Sequence, residues 1–359
     1  MKTKMNLQKI IYNYSNYKLY KNIFPFSVTL KILPSIFIHN KNGIAPPPVI
    51  ACYLATNKCN VNCDFCNIKY SNKNSNKDLS VKELDNIANF FKIFAIGGGE
   101  PFCRKDMPLI LNTLSLKNVK TLTVTNGLLF NDNVILEVMH SEPEILMFSI
   151  LGDETLHDKK MNKIGAYKQV ILNLNKIISM RKKTKIIINC TVDHDNIEHF
   201  LSVANLGKNI GVDAVRFTLL SFFTYNEVKK SIKQGFSPSG YILNKNQPLP
   251  EVKKITEVIS ILKNKYGNFI SFHPYTNKKE NNLWFKEFGG IKRHCHFIWN
   301  SLFLKPDGTV VPCGNLLNYE FGNIRTKTIE EIWNGNSFVN FRKKLINESL
   351  IVCSRCCKV

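Results

Sequence analysis

Arginine is scarce in this chain: seven of its 49 basic residues, at positions 104, 181, 216, 293, 325, 342 and 355, are arginines. Arginine is the side chain of bidentate phosphate recognition, whereas lysine is a solvated point charge. The excess of 49 basic over 27 acidic residues, a formal charge of +22, is therefore weak support for a nucleic-acid partner. The lysines are also scattered among Asn and Ile instead of forming a stripe. Such a surface attracts an acidic protein by long-range steering. Long apolar runs are missing too, since no window reaches the roughly 20 residues that span a bilayer. The N-terminal stretch is broken by Lys21, Pro25, Lys31 and Pro34 and lacks a small-residue cleavage site. These absences predict no transmembrane segment and a cytoplasmic location. Repeat and coiled-coil patterns are absent as well.

What is present points to a folded, metal-bearing protein. With 44% hydrophobic and 11% aromatic residues the chain can bury a core, and 359 residues suffice for a barrel-sized domain plus a smaller one. Its eleven cysteines do not suit a disulfide scaffold, which is short and secreted. Clustered thiols suggest metal instead.

Four segments follow from composition and periodicity. Residues 1–46 are aromatic and basic and lead into Pro46-Pro47-Pro48. They read as a helical extension covering one end of a barrel, with peripheral membrane contact as a second reading. In 47–225, apolar runs at 49–55, 94–96, 121–125, 145–150, 185–192 and 214–219 alternate with helical spacing at 81–91, 107–116, 133–140, 167–180 and 197–210. Ser80 and Glu83 resemble a capping box. Six such alternations predict a parallel α/β barrel or sheet, with chemistry at the C-terminal strand ends. Residues 226–294 read as a weakly patterned connector apart from a helix over 252–265. Residues 295–359 hold five cysteines and a hairpin turned by Pro306-Asp307-Gly308.

Two motifs carry the chemistry. After the first strand comes Cys59-Asn-Val-Asn-Cys63-Asp-Phe-Cys66. Three thiolates this close can converge on one metal centre. Structural zinc wants four ligands, and no neighbouring His or Cys supplies the fourth. A cubane held by three cysteines keeps one iron open to chemistry. The second motif, Gly97-Gly98-Gly99-Glu100-Pro101, ends the next strand, with Gly97 lying 31 residues past Cys66. Glycine there permits close backbone approach or positive φ, and a tight turn explains it equally well.

Together these residues resemble the radical SAM superfamily. Its three-cysteine spacing is met by Cys59, Cys63 and Cys66, its aromatic by Phe65, and its Gly-Gly-Glu-Pro motif by Gly98, Gly99, Glu100 and Pro101. The resemblance implies a partial (βα)6 barrel and a 4Fe-4S cluster whose unique iron binds S-adenosylmethionine (SAM). Reductive cleavage of SAM would then give a 5′-deoxyadenosyl radical that abstracts hydrogen from substrate. Asn126, Ser149 and Asn189, at strands three, four and five, are the further cofactor-contact candidates. The stretch Ser149…Asp153…His157-Asp158 is similar to the family's strand-four pattern, with Leu151 where an acidic residue is usual. Asp153, His157 and Tyr225 are the candidate catalytic acids or bases.

The order Cys295, Gly308-x4-Cys313, Cys353-x2-Cys356 resembles the shortened SPASM unit called a twitch domain. It implies one auxiliary 4Fe-4S cluster on Cys295, Cys313, Cys353 and Cys356, with Cys357 spare or exchanging with Cys356. Structural zinc is the sober alternative. A fully ligated cluster suits electron relay, hence oxidation of a small molecule or a peptide side chain. An acidic flavodoxin or ferredoxin would donate the electrons. The rival readings are a peptide maturase, an RNA-modifying radical SAM enzyme and, from another class, a zinc-stabilised non-catalytic binding protein. Cys52, Cys103 and Cys190 read as small apolar residues.

Overall fold

The computed structural model describes residues 41–66, 68, 77–243, 252–274, 276–288 and 295–356. The expectation for the extension at 1–40 and the choice between Cys356 and Cys357 fall on, or depend on, positions outside these.

Six parallel strands form in chain order: β1 (Ile50–Leu54), β2 (Ile93–Gly97), β3 (Lys120–Thr125), β4 (Ile145–Ser149), β5 (Lys185–Val192) and β6 (Ala214–Leu219). Helices α1 (Val81–Ala88), α2 (Met107–Leu116), α3 (Asp132–His140), α4 (Glu154–Met161), α5 (Ala166–Met180) and α6 (Phe200–Ile210) connect them. The α/β reading with parallel strands holds. The capping box opening α1 is real: Ser80 Oγ accepts from Glu83 N–H, and Glu83 Oε2 accepts from Ser80 N–H at 2.8 Å. Helix α4 escaped the periodicity reading because its sequence, ETLHDKKM, is polar along most of its length. Leu84, Leu111, Leu114, Leu174 and Ile177 point helix faces inward onto Phe94, Leu146, Phe148 and Ile188, and these form one buried core. A second cluster of Val49, Ile93, Ile145, Met147 and Ile187 packs among the opening residues of the strands.

The sheet extends past six strands at both edges. After β6 come a short pair, β7 (Phe222–Phe223) with β8 (Tyr241–Ile242), helix α7 (Tyr225–Lys233), helix α8 (Val252–Tyr266) and strand β9 (Ile270–His273). Strand β9 pairs parallel to β6, so part of the stretch read as a connector is barrel wall. Four residues are too few to register as an apolar run beside the lysine-rich α8.

At the other edge β10 (Ser301–Leu304) pairs parallel to β1, with Ile50 opposite Ser301 and Tyr53 opposite Leu304. Strands β11 (Thr309–Val311) and β12 (Gly322–Asn323) continue antiparallel. The expected hairpin is therefore fused to the barrel sheet, in the order β12-β11-β10-β1-β2-β3-β4-β5-β6-β9. Helices α9 (Ile329–Trp333) and α10 (Asn336–Asn347) close this unit. Arg342 of α10, fully buried, lies 4.2 Å from the Trp333 ring centroid and donates to the Gly43 and Ile298 carbonyls. Residues 43–46 are thereby strapped to the C-terminal unit.

Among the described residues no helix is long and apolar enough to cross a membrane.

Candidate functional site

The cysteine loop leaves β1 at Leu54 and is held by backbone bonds on two sides. Gly99 N–H donates to the Thr56 carbonyl and Glu100 N–H to that of Lys58, both at 2.8 Å. Asn62 N–H and Asp64 N–H donate to the carbonyls of Met161 and Lys160 at the end of α4. The glycine run thus serves the chain's own backbone. A Cβ on Gly99 would sit 2.1 Å from the Lys58 carbonyl oxygen, and Gly98 has φ +124°. A Cβ on Gly97 would meet nothing within 4 Å.

Glu100, 1% exposed, joins strand ends two and three. Its Oε1 accepts from Phe102 N–H (3.1 Å) and Thr125 Oγ1 (2.7 Å), and its Oε2 accepts from Asn126 N–H (2.7 Å). Burial pushes its carboxyl pKa up, against those three bonds, which favour the charge. Oε2 has two lone pairs and accepts from Asn126 N–H with one, so it can still receive an ammonium N–H. Asn126 Nδ2 donates to Asn60 Oδ1 at 2.8 Å, tying β3 to the cysteine loop. Ser149 and Asn189 face each other in register on β4 and β5. Phe65 packs between the loop and Lys160, whose Nζ is 5.8 Å from the ring centroid.

The three thiols lie close enough to influence one another electrostatically. Burial raises Cys59 and pushes Cys63 up to about 12, with Cys66 adding to both. In the second set burial raises Cys295 and carries Cys353 well above its ordinary value, with Cys313 and Cys295 adding to Cys353. Thiols raised in this way ionise readily when a metal supplies the compensating charge. The first set offers three thiols and so lacks the fourth protein ligand of a structural zinc site, and all-thiol sets suit iron–sulfur ligation. No disulfide joins any of the ten described cysteines.

A cavity of about 440 Å³ lies between the barrel strands and Cys313 and Cys356 of the second thiol set. Gly97 and Asn189 stand on its wall from the expected cofactor side, and Cys313 and Cys356 from the auxiliary side. Leu54, Ala95, Val124, Met147 and Phe303 give it an apolar body, while Arg216, Thr218, Ser221 and Asn315 supply polar groups.

None of the three candidate acids or bases reaches this wall. Asp153 is the N-cap of α4, accepting from Leu156 N–H at 3.0 Å. His157 is fully buried; its Nδ1 accepts from Leu151 N–H at 3.2 Å, and burial pushes its pKa down to about 4. Tyr225 begins α7 with its ring half exposed beside Lys229. The polar residues of this strand-four region stabilise turns and caps, a use that motif matching does not distinguish from catalysis.

Two residues on the site escaped the sequence reading. Arg216 is visible in retrospect as a rare arginine sharing a strand face with Thr218 at period two. Lys160, 1% exposed, places Nζ 2.8 Å from Asp193, 2.6 Å from Asp195 and 3.6 Å from Asp64 of the cysteine loop. Asp193, His194 and Asp195 are close enough together to hold a cation, but Lys160 already provides the countercharge.

Sequence models of known families match both units. The radical SAM superfamily model matches residues 53–207, and the SPASM iron-sulfur cluster-binding domain model matches 295–357. The chain is 23% identical over 330 residues to the tungsten-containing aldehyde ferredoxin oxidoreductase cofactor-modifying protein of Pyrococcus furiosus, covering 84% of this chain and 85% of that one. It is 23% identical to an AdoMet-dependent heme synthase of Methanosarcina barkeri, over 80% of this chain and 82% of the other. It is 24% identical to the subtilosin biosynthesis protein AlbA of Bacillus subtilis, over 80% and 60%. Among solved structures, Streptococcus suis SuiB bound to precursor peptide SuiA superposes with TM-score 0.65 at 14% identity, covering 93% of this chain and 81% of that one. The AdoMet-bound structure of anSMEcpe gives 0.61 at 16%, covering 86% and 88%. The cofactors expected from the sequence, SAM with its 4Fe-4S cluster and a further iron–sulfur cluster, are those of both matched domains. The chain belongs to the radical SAM superfamily and is a radical SAM enzyme with a C-terminal SPASM domain.

Proposed function

We propose that the chain oxidises its substrate by hydrogen abstraction followed by loss of a second electron, on a small molecule or a single side chain of a peptide. When bound, the cofactors supply a 5′-deoxyadenosyl radical and, at the auxiliary site, an acceptor for that electron. Cys59, Cys63 and Cys66 would hold the first cluster, and Cys295, Cys313, Cys353 and Cys356 the second. The Glu100 carboxylate is placed to receive the SAM ammonium, with Asn126 and Asn189 as neighbouring polar contacts. The observation that carries this reading is the cavity, whose wall joins Gly97 and Asn189 of the barrel strands to Cys313 and Cys356 of the second cysteine set. A substrate there would lie beside the strand ends expected to hold the cofactor and beside two of the proposed auxiliary ligands. The volume suits one side chain or a compact molecule. The peptide reading gains weight from the similarity to AlbA, a bacteriocin biosynthesis protein, and to SuiB, which was crystallised with a precursor peptide. Described cysteines without a disulfide fit a reducing compartment, and the basic surface fits an acidic flavodoxin or ferredoxin as donor.

The test is spectroscopic. Anaerobically reconstituted wild-type protein, reduced with dithionite, is expected to show an electron paramagnetic resonance (EPR) signal that shifts when SAM is added. Cys63→Ala is expected to lose that shift and reductive SAM cleavage. Cys353→Ala is expected to keep cleavage but lose product formation. Normal turnover by Cys353→Ala would refute the acceptor role.

A further inference from the structure

The cavity wall is chemically uneven. Polar groups gather on the β5–β6 side, where Asn189, Arg216, Thr218 and Ser221 line it. Asn189 sits opposite Arg216 in the strand register, and Thr218 Oγ1 donates to Asn189 Oδ1 at 2.7 Å, so this side is braced. Arg216 is the one charged side chain on the wall among the described residues, and no Asp or Glu lines it. Ser221 is 9% exposed, and its Oγ has no hydrogen-bond partner among the described residues. Leaving a buried hydroxyl without a partner is unfavourable, and a ligand acceptor would satisfy it.

A guanidinium in a low-dielectric cavity offers a planar fork that a carboxylate meets with two parallel N–H···O bonds. Apart from Asn315 and three cysteines, the wall away from this corner is largely aliphatic and aromatic, with Ala95, Val124, Met147, Phe303 and Leu317. We propose that Arg216, with the Ser221 hydroxyl beside it on the wall, anchors the carboxylate of a substrate whose body is apolar. Anchored there, the substrate extends between Gly97 on one side and Cys313 and Cys356 on the other. Arg216 then selects carboxylates over neutral isosteres. This inference rests on the cavity being the substrate site, as proposed above.

The probe pair is 3-phenylpropanoate and its neutral isostere 3-phenylpropanamide, titrated calorimetrically into anaerobic holoenzyme with SAM present. Wild type is expected to bind the acid at least tenfold more tightly than the amide. Arg216→Gln is expected to bind both alike, Arg216→Lys to keep part of the preference, and Ser221→Ala to weaken the acid about threefold. Iron content and circular dichroism identify a variant that has failed to fold, and the wild-type comparison of acid with amide stands without any variant. Equal binding of acid and amide by wild type, no binding of either, or a preference surviving in Arg216→Gln overturns the proposal. So does a loss of SAM affinity in Arg216→Gln, which would assign the guanidinium to the cofactor's own carboxylate. Failure of the reading beneath it is distinguishable, because that would remove the SAM-dependent EPR shift from wild type.

Discussion

Glu227 and Arg355 form an ion pair at 2.6 Å in which both side chains are completely buried. Arg355 lies between Cys353 and Cys356, and its guanidinium also donates to the carbonyls of Phe222, Trp284 and Lys286. The last auxiliary-cluster loop is therefore fastened to α7 and to the segment before Cys295. Removing one partner strands a buried charge, at about 3–5 kcal/mol. Glu227→Ala is expected to lower Tm and to lose iron from the auxiliary site first. Iron analysis with EPR of each cluster checks this; equal loss from both sites would count against it.

The glycine run separates two roles by substitution. Gly99→Ala forces a methyl group onto the Lys58 carbonyl and the cysteine loop must shift, costing about 3 kcal/mol. Gly97→Ala meets no atom within 4 Å, so the fold is expected to tolerate it while the methyl narrows the cavity. Expression, iron loading and thermal unfolding of the two variants should differ in that direction.

His157 makes stability depend on pH. Burial holds its folded-state pKa at about 4 against about 6.5 unfolded. Between these values the unfolded chain binds the extra proton, so stability is full above pH 6.5 and falls as pH drops toward 4. The loss amounts to roughly 3 kcal/mol. His157→Gln is expected to flatten this part of the profile in urea titrations at successive pH values.

Lys160 governs the carboxylates around it. Burial alone would raise the Asp193 carboxyl, yet Lys160 and His194 lower it overall. Its contribution is present above about pH 4, the unfolded carboxyl value, and is lost on further acidification. Lys160→Met leaves Asp193 buried without its cation and releases Asp64 of the cysteine loop. The expected outcome is a drop of about 3 kcal/mol or more and faster loss of the first cluster on exposure to a chelator.

Local sequence made the barrel legible wherever packing and periodicity agree. Strands β5 and β6 have the residues expected, and α2 matches at both ends. Cys59, Cys63 and Cys66 lie near one another, as do Cys295, Cys313 and Cys353. What stayed hidden depends on long-range placement. Nothing local says that Ile270–His273 pairs with β6, or that β10 joins β1 across some 250 positions of sequence. Asp153 caps a helix and His157 accepts a backbone N–H, uses that draw on the same residue types as acid–base chemistry and that local sequence does not separate from it. Arg216 required knowing which strand face looks into the cavity.

The parallel bond between β1 and β10 has a mechanical meaning for electron transfer. The first cluster's loop springs from one of these strands and the second cluster's hairpin from the other, so a backbone ladder, not a hinge, sets the gap an electron must tunnel. Truncation before Cys295 would do more than delete one redox centre: it would uncover a barrel strand to sticky self-association, so the two redox units cannot be studied as detachable parts.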